Sequence, residues 1–359
     1  MGAFRSLYPL PSKSPAAGGN AVIELSGLPD ECRVAGFLLS FGCTTTAASG
    51  TPAVLNSDLV SLMATVDLDS PYLFVRSTGV GLWVLQYMMQ GGLLNTSTAS
   101  ATGGVAKRAN VWIPLIDPRC TSPNDACIPS KLIRDKSINV AFATSFAPTW
   151  DSVVVTCSAA TLQATAFLIP DGGDVLPTKS RIAFEDWSQN TINLAGRGYF
   201  TDLYFSEEAM ALTLAEHLQY TVSLDGNPVI DRIPTHQLAD HWNRSCCRDA
   251  ASALSFQAAA SQRFIPILSA TQGYKATQLP RGLNSVRIDI DSGSQTGGRI
   301  CYRTLEPTSA GEERDAIIKM GHDPMTVQVE AKTAKASAVQ GSPKRQERIK
   351  AVLPKRLSR

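Results

Sequence analysis

Short segments rich in aliphatic and aromatic residues recur along the chain, and Gly, Pro, Asp and Ser separate them. Several segments alternate between apolar and polar residues. In Val286–Ile290 the aliphatic side chains fall on one face of a strand, whereas Arg287 and Asp289 fall on the other. Alternation of this kind is typical of a β-strand with one buried and one solvated face. The pattern therefore predicts a protein built mainly of short strands.

The predicted strands form two sets of eight, one on each side of the turn-rich break Pro170–Asp174 (PDGGD), which is the best candidate for a domain boundary. The first set comprises Ala21–Leu25, Arg33–Phe41, Ala64–Leu68, Tyr72–Arg76, Asn110–Leu115, Ser137–Ala143, Ser152–Cys157 and Thr161–Leu168. The second set comprises Arg181–Phe184, Thr191–Leu194, Tyr199–Phe205, Tyr220–Leu224, Pro228–Asp231, Arg263–Leu268, Ser285–Ile290 and Ile300–Leu305.

Helices are predicted as interruptions of this pattern. They run from Asn56 or Ser57 to Met63, over Gly81–Gln90, from Ser206 onward, and from Ser309 to Gly321. The stretch Leu93–Arg108, rich in Ser, Thr, Ala and Gly, is predicted to be a long exposed loop. Because the helices do not alternate regularly with strands, a parallel α/β fold is disfavoured.

The composition indicates a globular protein with a core and an uneven distribution of charge. Of the 359 residues 44% are hydrophobic and 18% are charged, which suffices to bury a core. Residues 332–359 carry nine basic residues and one acid, whereas the remainder carries 24 basic and 30 acidic residues. This tail is poor in large apolar residues, so we expect its cations to attract phosphate or anionic lipid. Its basic residues are Lys332, Lys335, Lys344, Arg345, Arg348, Lys350, Lys355, Arg356 and Arg359.

The N-terminal segment, residues 1–18, is rich in Pro, Ser and Gly and is predicted to be a flexible arm. It has no apolar core of the kind found in secretory signals, and the apolar run Val80–Met89 is too short to span a membrane, so we expect synthesis in a cytosol. Gly2 fits the short N-myristoylation pattern. Among eight cysteines, only Cys120 and Cys127 are placed for a local disulfide, and most of the others are expected to be buried.

The stretch HQLADHWNRSCC, residues 236–247, is the strongest candidate for chemistry. On a helix over residues 235–256, His236 and His241 lie about 140° apart, because five residues turn roughly 500°. Two histidines hold zinc from one helix face when four residues separate them. We therefore predict a packing helix with Cys246 on its apolar side, no metal site, and no cofactor. The sequence also lacks nucleophile-elbow, P-loop and dinucleotide-binding motifs, so no catalytic residue is assigned.

Two successive sets of eight strands with helical excursions resemble the double jelly-roll major capsid proteins of adenovirus and of tailless, membrane-containing icosahedral viruses and phages. The stretches LPDECRVAGFLLSFGCTTT, NSDLVSLMATVDLD and LPRGLNSVRIDIDSGSQTGGRICYRTLEP are the most similar to the small phage members. The resemblance implies a mainly β fold of two consecutive eight-stranded jelly-roll sandwiches with helical insertions. Its divisions are an arm (1–18), a first jelly roll (19–170), a second (171–307), a C-terminal helix and linker (308–331) and a basic tail (332–359).

The resemblance further implies a structural coat protein rather than an enzyme. Three chains would form a pseudo-hexagonal capsomer, and capsomers would enclose a genome or internal membrane, with minor capsid, vertex or membrane proteins as further partners. The chain would reside in the virion after synthesis in the host cytoplasm, and its tail would face membrane or genome. Two alternatives stay open: a coat protein with one jelly roll, a projecting domain and a nucleic-acid-binding tail, and a β-sandwich hydrolase or glycan-binding module.

Overall fold

The computed structural model describes residues 7–90, 97–115, 127–170, 179–187, 191–194, 199–206, 219–224, 226–234, 264–269, 286–291, 298–306 and 318. Met1–Thr308 belong to one compact unit and Ser309–Arg359 to a second. Within the described ranges, no helix has the length and apolar character needed to cross a membrane.

The eight strands predicted for the first half correspond to seven strands of the structure, several of which are longer than predicted. The strands are β1 (Leu7–Pro9), β2 (Asn20–Glu24), β3 (Cys32–Ala47), β4 (Ala53–Leu55), β5 (Met63–Asp69), β6 (Leu73–Ser77), β7 (Ser97–Ala99), β8 (Val105–Pro114), β9 (Ile128–Pro129), β10 (Ser137–Phe142), β11 (Thr149–Trp150) and β12 (Val153–Pro170). Two predicted strands are parts of β12, which pairs with β3 on both sides of a bulge at Ala159 and Ala160. The loop predicted over Leu93–Arg108 is wrong in part, since β7 and the start of β8 lie within it.

The eight strands predicted for the second half are also confirmed. They are β13 (Lys179–Trp187), β14 (Thr191–Asn193), β15 (Tyr199–Ser206), β16 (Gln219–Leu224), β17 (Asn227–Pro234), β18 (Phe264–Ser269), β19 (Val286–Asp291) and β20 (Gly298–Glu306). In β19, Val286 and Ile288 are fully buried and Arg287 is exposed, as the alternating sequence predicts. The protein is therefore mainly β, as expected.

Each half of the chain has one large sheet of its own, and a third large sheet contains strands from both halves. Sheet A has the order β1-β12-β3-β8, with β9 and β11 attached, and sheet E has the order β14-β19-β16-β17. Sheet B has the order β18-β15-β20-β13-β6-β5-β10-β2, so four of its strands come from each half. β4 and β7 form a separate small ladder. Each half thus supplies one sheet of its own and half of a common sheet.

The core of the first half lies between sheets A and B. The rings of Phe41 in β3 and Phe142 in β10 have centroids 5.5 Å apart, and both side chains are buried. Along β10, Ile138 and Val140 are fully buried, whereas Asn139 between them is exposed. The alternating positions of the two sheets therefore face each other as in a β-sandwich.

Part of the predicted flexible arm is an ordered edge of sheet A. β1 pairs antiparallel with Thr165–Phe167 of β12. The Leu10 amide donates to the Ala164 carbonyl at 2.8 Å, and Lys13 and Leu162 exchange two backbone hydrogen bonds, each 2.8 Å long. Leu10 is also almost completely buried. The prediction of a flexible arm is therefore wrong from Leu7 onward, because this Pro- and Ser-rich segment contains a short strand and one buried leucine. Residues 1–6, including Gly2, lie outside the described residues.

Two helices cover the β8 side of the first half. They are α1 (Asn56–Ser61) and α2 (Gly79–Gln90), close to their predicted bounds. The side chain of Gln86 is buried, and its Oε1 accepts a hydrogen bond from the Trp112 amide in β8 at 3.1 Å. Since β8 ends the order of sheet A, α2 protects an edge that would otherwise pair with another strand. The helices predicted from Ser206 and over residues 235–256 lie outside the described residues. For the helix predicted from Ser309 to Gly321, Ile318 alone is described, and it is helical.

Candidate functional site

The junction of the two halves is a parallel pair of strands inside sheet B. Ser180, Arg181 and Ile182 of β13 face Leu73, Phe74 and Val75 of β6, respectively. The Ser180 amide donates to the Tyr72 carbonyl at 3.0 Å. Ile182 and Val75 are each only 1% exposed. The halves are thus joined by a hydrogen-bonded ladder with an apolar core rather than by the chain connection alone.

An open depression at this junction carries positive charge. Its lining includes Lys179 and Arg181 from β13 and Phe74 from β6. The guanidinium carbon of Arg181 lies 4.6 Å from the centre of the Phe74 ring, and that of Arg76 lies 5.8 Å from the same centre. The face of an aromatic ring attracts cations, so the Phe74 ring stabilises both guanidinium groups. Arg76 also forms an exposed ion pair with Asp67.

A second open depression lies on sheet A at the β12 bulge, next to a pair of thiols. Its lining includes Gly42, Cys43, Lys107, Ala159 and Thr161. The depression is open to solvent rather than enclosed.

The thiol pair consists of Cys43 in β3 and Cys157 in β12, both of which are buried. A hydrogen bond from the Cys157 thiol and the positive charge of Lys107 hold the pKa of Cys43 below that of an ordinary thiol, although burial opposes this effect. The same hydrogen bond, burial and the neighbouring Cys43 raise the pKa of Cys157. Of the two, Cys43 therefore ionises more readily than Cys157.

The predicted site residues in the tail, from Lys332 to Arg359, lie outside the described residues, as do His236, His241 and Cys120. Cys127, the other cysteine placed for a local bridge, is described and buried. In the described ranges, no three His, Cys, Asp or Glu side chains come together in a group that would bind a metal ion.

Comparison with known proteins identifies the architecture. No protein-family model matches the sequence, and a search of curated proteins found no related sequence. Solved structures do match: the major capsid protein of STIV, the Sulfolobus turreted icosahedral virus, superposes with a TM-score of 0.54 at 14% identity, covering 83% of this chain and 97% of that protein. The major capsid protein P2 of bacteriophage PM2 superposes with a TM-score of 0.51 at 13% identity, covering 86% of this chain and 99% of that protein. The chain has the double jelly-roll fold.

In this double jelly roll, sheet B is the structural link that sequence reasoning missed. The sequence predicts β6 and β13 correctly as strands, but nothing in either segment indicates that the two are neighbours. Parallel strands are joined by long crossovers, so their pairing leaves no turn signal comparable to a hairpin. The thiol pair was missed for a related reason, because Cys43 and Cys157 become neighbours only through the register of β3 and β12.

Proposed function

We propose that this chain is a structural major capsid protein, which assembles with copies of itself into an icosahedral shell and has no catalytic role. One observation carries the proposal: the chain matches two viral major capsid proteins along nearly their whole length, 97% and 99%. The open depressions and the covered β8 edge support a protein that works through broad surfaces. The proposed location is the virion capsid, after synthesis in the host cytoplasm.

The proposed assembly unit is a homotrimer. Jelly rolls spanning residues 19–170 and 171–307 stand beside one another, and three copies would supply the six lobes of a pseudo-hexagonal capsomer. The shared sheet B supports this proposal, because a continuous ladder fixes the two lobes as one rigid building block. It also argues against a single jelly roll with an independent projecting domain, since a projecting domain would not contribute half of a common sheet.

The proposed role of the basic tail, residues 332–359, is to bind the phosphates of a genome or of an internal membrane, following the C-terminal helix and linker at 308–331. Nine basic residues against one acid give it the charge for either partner. Minor capsid, vertex or membrane proteins complete the proposed set of partners.

The first experiment measures the mass of the purified chain by light scattering and images the same sample by negative-stain electron microscopy. We expect a stable species of three chain masses with a pseudo-hexagonal outline, or closed shells. A monomer that persists at high concentration would contradict the proposed assembly.

The tail is tested separately with a chain that ends at residue 331. We expect the full chain to bind anionic vesicles or nucleic acid in a salt-sensitive way, and the truncated chain to lose this binding while it still trimerises. A matched variant in which the nine basic residues become Gln separates charge from length. Equal binding by the full and truncated chains would overturn the role given to the tail, and the comparison of the two ligands distinguishes membrane from genome.

A further inference from the structure

Cys43 and Cys157 are brought together by an irregularity in the ladder between β3 and β12. Thr44 pairs with Ser158 and Gly42 with Thr161, so Ala159 and Ala160 both stand opposite Cys43. Ala159 has a φ of 49°, in the left-handed region that residues with a side chain seldom adopt. A bulge of this kind bends the strand and redirects neighbouring side chains.

The two thiols lie on the same face of sheet A. Cys157 pairs with Thr45, two residues beyond Cys43, and Cys43, Thr45 and Cys157 are all buried. Residues two apart on a strand share a face, so the two cysteines are diagonal neighbours on that face.

A lysine completes the group from the third strand. Lys107 of β8 is the direct cross-strand partner of Cys43, so Cys43 stands between a cation and a second thiol. Lys107 is largely buried as a residue, and its ammonium group donates a hydrogen bond to the Ala99 carbonyl at 3.0 Å. A neighbouring lysine favours a thiolate, which is the nucleophilic form of cysteine.

We propose that Cys43 and Cys157 form a reversible redox pair, in which a peroxide oxidises the two thiols to a disulfide between β3 and β12. The Cys43 thiolate attacks one peroxide oxygen, the O–O bond breaks, and hydroxide leaves, so that Cys43 becomes a sulfenic acid. The Cys157 thiol then attacks the Cys43 sulfur, the S–O bond breaks, and water leaves. With hydrogen peroxide, two thiols are oxidised to one disulfide and the peroxide is reduced to two molecules of water. This proposal does not depend on the capsid function.

The order of attack follows from the electrostatics of the pair. Lys107 is the direct cross-strand partner of Cys43, and Cys43 lines the open depression on sheet A. The hydrogen bond from Cys157 and the charge of Lys107 lower the pKa of Cys43 although burial opposes them, whereas the pKa of Cys157 is raised. Cys43 is therefore the attacking residue and Cys157 the resolving residue. The product cross-links two strands that are distant in sequence, and such a bond restricts the unfolded chain more than the folded one.

The first test treats the folded, full-length protein with hydrogen peroxide, blocks the remaining thiols with N-ethylmaleimide under denaturing conditions, and digests it with trypsin without reduction. Residues 34–76 and 137–179 form tryptic peptides that each contain a single cysteine. We expect these two peptides to be recovered as a cross-linked pair that dithiothreitol separates. The oxidised protein should melt roughly 10 °C higher than the reduced protein. Recovery of both peptides in the maleimide-blocked form after peroxide treatment would overturn the proposal.

The second test separates the roles of the two cysteines with dimedone, which traps sulfenic acids. Cys157→Ser should accumulate the dimedone adduct on Cys43, whereas Cys43→Ser should show none on Cys157. Lys107→Met should slow oxidation at pH 7 several-fold, since it removes the cation beside the thiolate. Cys32→Ser is the matched control, because Cys32 is a buried cysteine of the same strand whose thiol instead bonds the Pro29 carbonyl at 3.2 Å. It should leave the cross-link intact.

If a serine variant fails to fold, the wild-type protein can still be used to test the order of attack. Dimedone added to the wild-type protein together with the peroxide should then label the peptide of residues 34–76 in preference to that of 137–179. Equal labelling of the two peptides, or preferential labelling of the second, would contradict the proposed order of attack.

Discussion

At the scale of single residues, one glycine decides how β8, β3 and β12 fit together. Gly36 lies between Trp112 and Phe167, whose rings meet edge to face with centroids 4.7 Å apart. A Cβ atom at Gly36 would stand 2.2 Å from Cζ2 of Trp112 and 2.7 Å from the Ile113 carbonyl oxygen. The tryptophan therefore occupies the space that any other residue at this position would need. A glycine inside a strand commonly marks such a close approach.

We predict that Gly36→Ala destabilises the fold by about 1–3 kcal/mol, because the added methyl group forces the Trp112 ring or the β8 backbone to move. Chemical denaturation measures the effect. Gly103→Ala is the matched control, since nothing lies within 4 Å of a Cβ atom at that position. Equal stabilities of the two variants would show that the ring is not held over Gly36.

At the scale of elements, the N-terminal strand completes sheet A and belongs to the folded core. Just after β1, the backbone bonds of Leu10 and Lys13 continue the pairing with β12, and Leu10 fills a buried position. An unprotected edge invites pairing with other chains. The segment should therefore matter both for stability and for solubility.

Deletion of residues 1–18 should destabilise the protein by at least about 2–5 kcal/mol, the usual range for removing a buried leucine side chain alone, and should promote aggregation. Thermal unfolding and light scattering report the two effects. Deletion of residues 1–6 is the control, because the contacts described above begin at Leu7. If the longer deletion behaved like the shorter one, β1 would not contribute to the core.

At the scale of the whole molecule, the β6–β13 ladder couples the two jelly rolls. Both strands bury apolar side chains at the junction, and sheet B continues through it without a break. Unfolding of either half would break this ladder and expose the apolar side chains of the other half at the junction. The two jelly rolls should therefore unfold together.

Calorimetry should accordingly show one unfolding transition for the two jelly rolls rather than two. Ile182→Ala should lower the stability of that single transition by about 2–5 kcal/mol, because Ile182 packs at the junction and its removal leaves a cavity. Val154→Ala should have little effect, since Val154 is 44% exposed. Two separated transitions, with only one displaced by Ile182→Ala, would contradict the coupling.

The sequence by itself determined most strands and the fold class, because side-chain alternation and turn residues act locally. β19 shows this well: its period of two places Val286 and Ile288 in the core without reference to any other segment. The first two helices were also predictable, since α2 combines an apolar run with two glycines that stop it.

Only the tertiary structure decided which strands are neighbours. The β6–β13 junction, the pairing of β1 with β12 and the meeting of Cys43 with Cys157 all depend on register between segments distant in the sequence. A strand carries the same alternating pattern whichever partner it has, so its sequence fixes the face that is buried but not the strand that lies beside it. The thiol pair and the rigid junction are therefore properties of the assembled sheets.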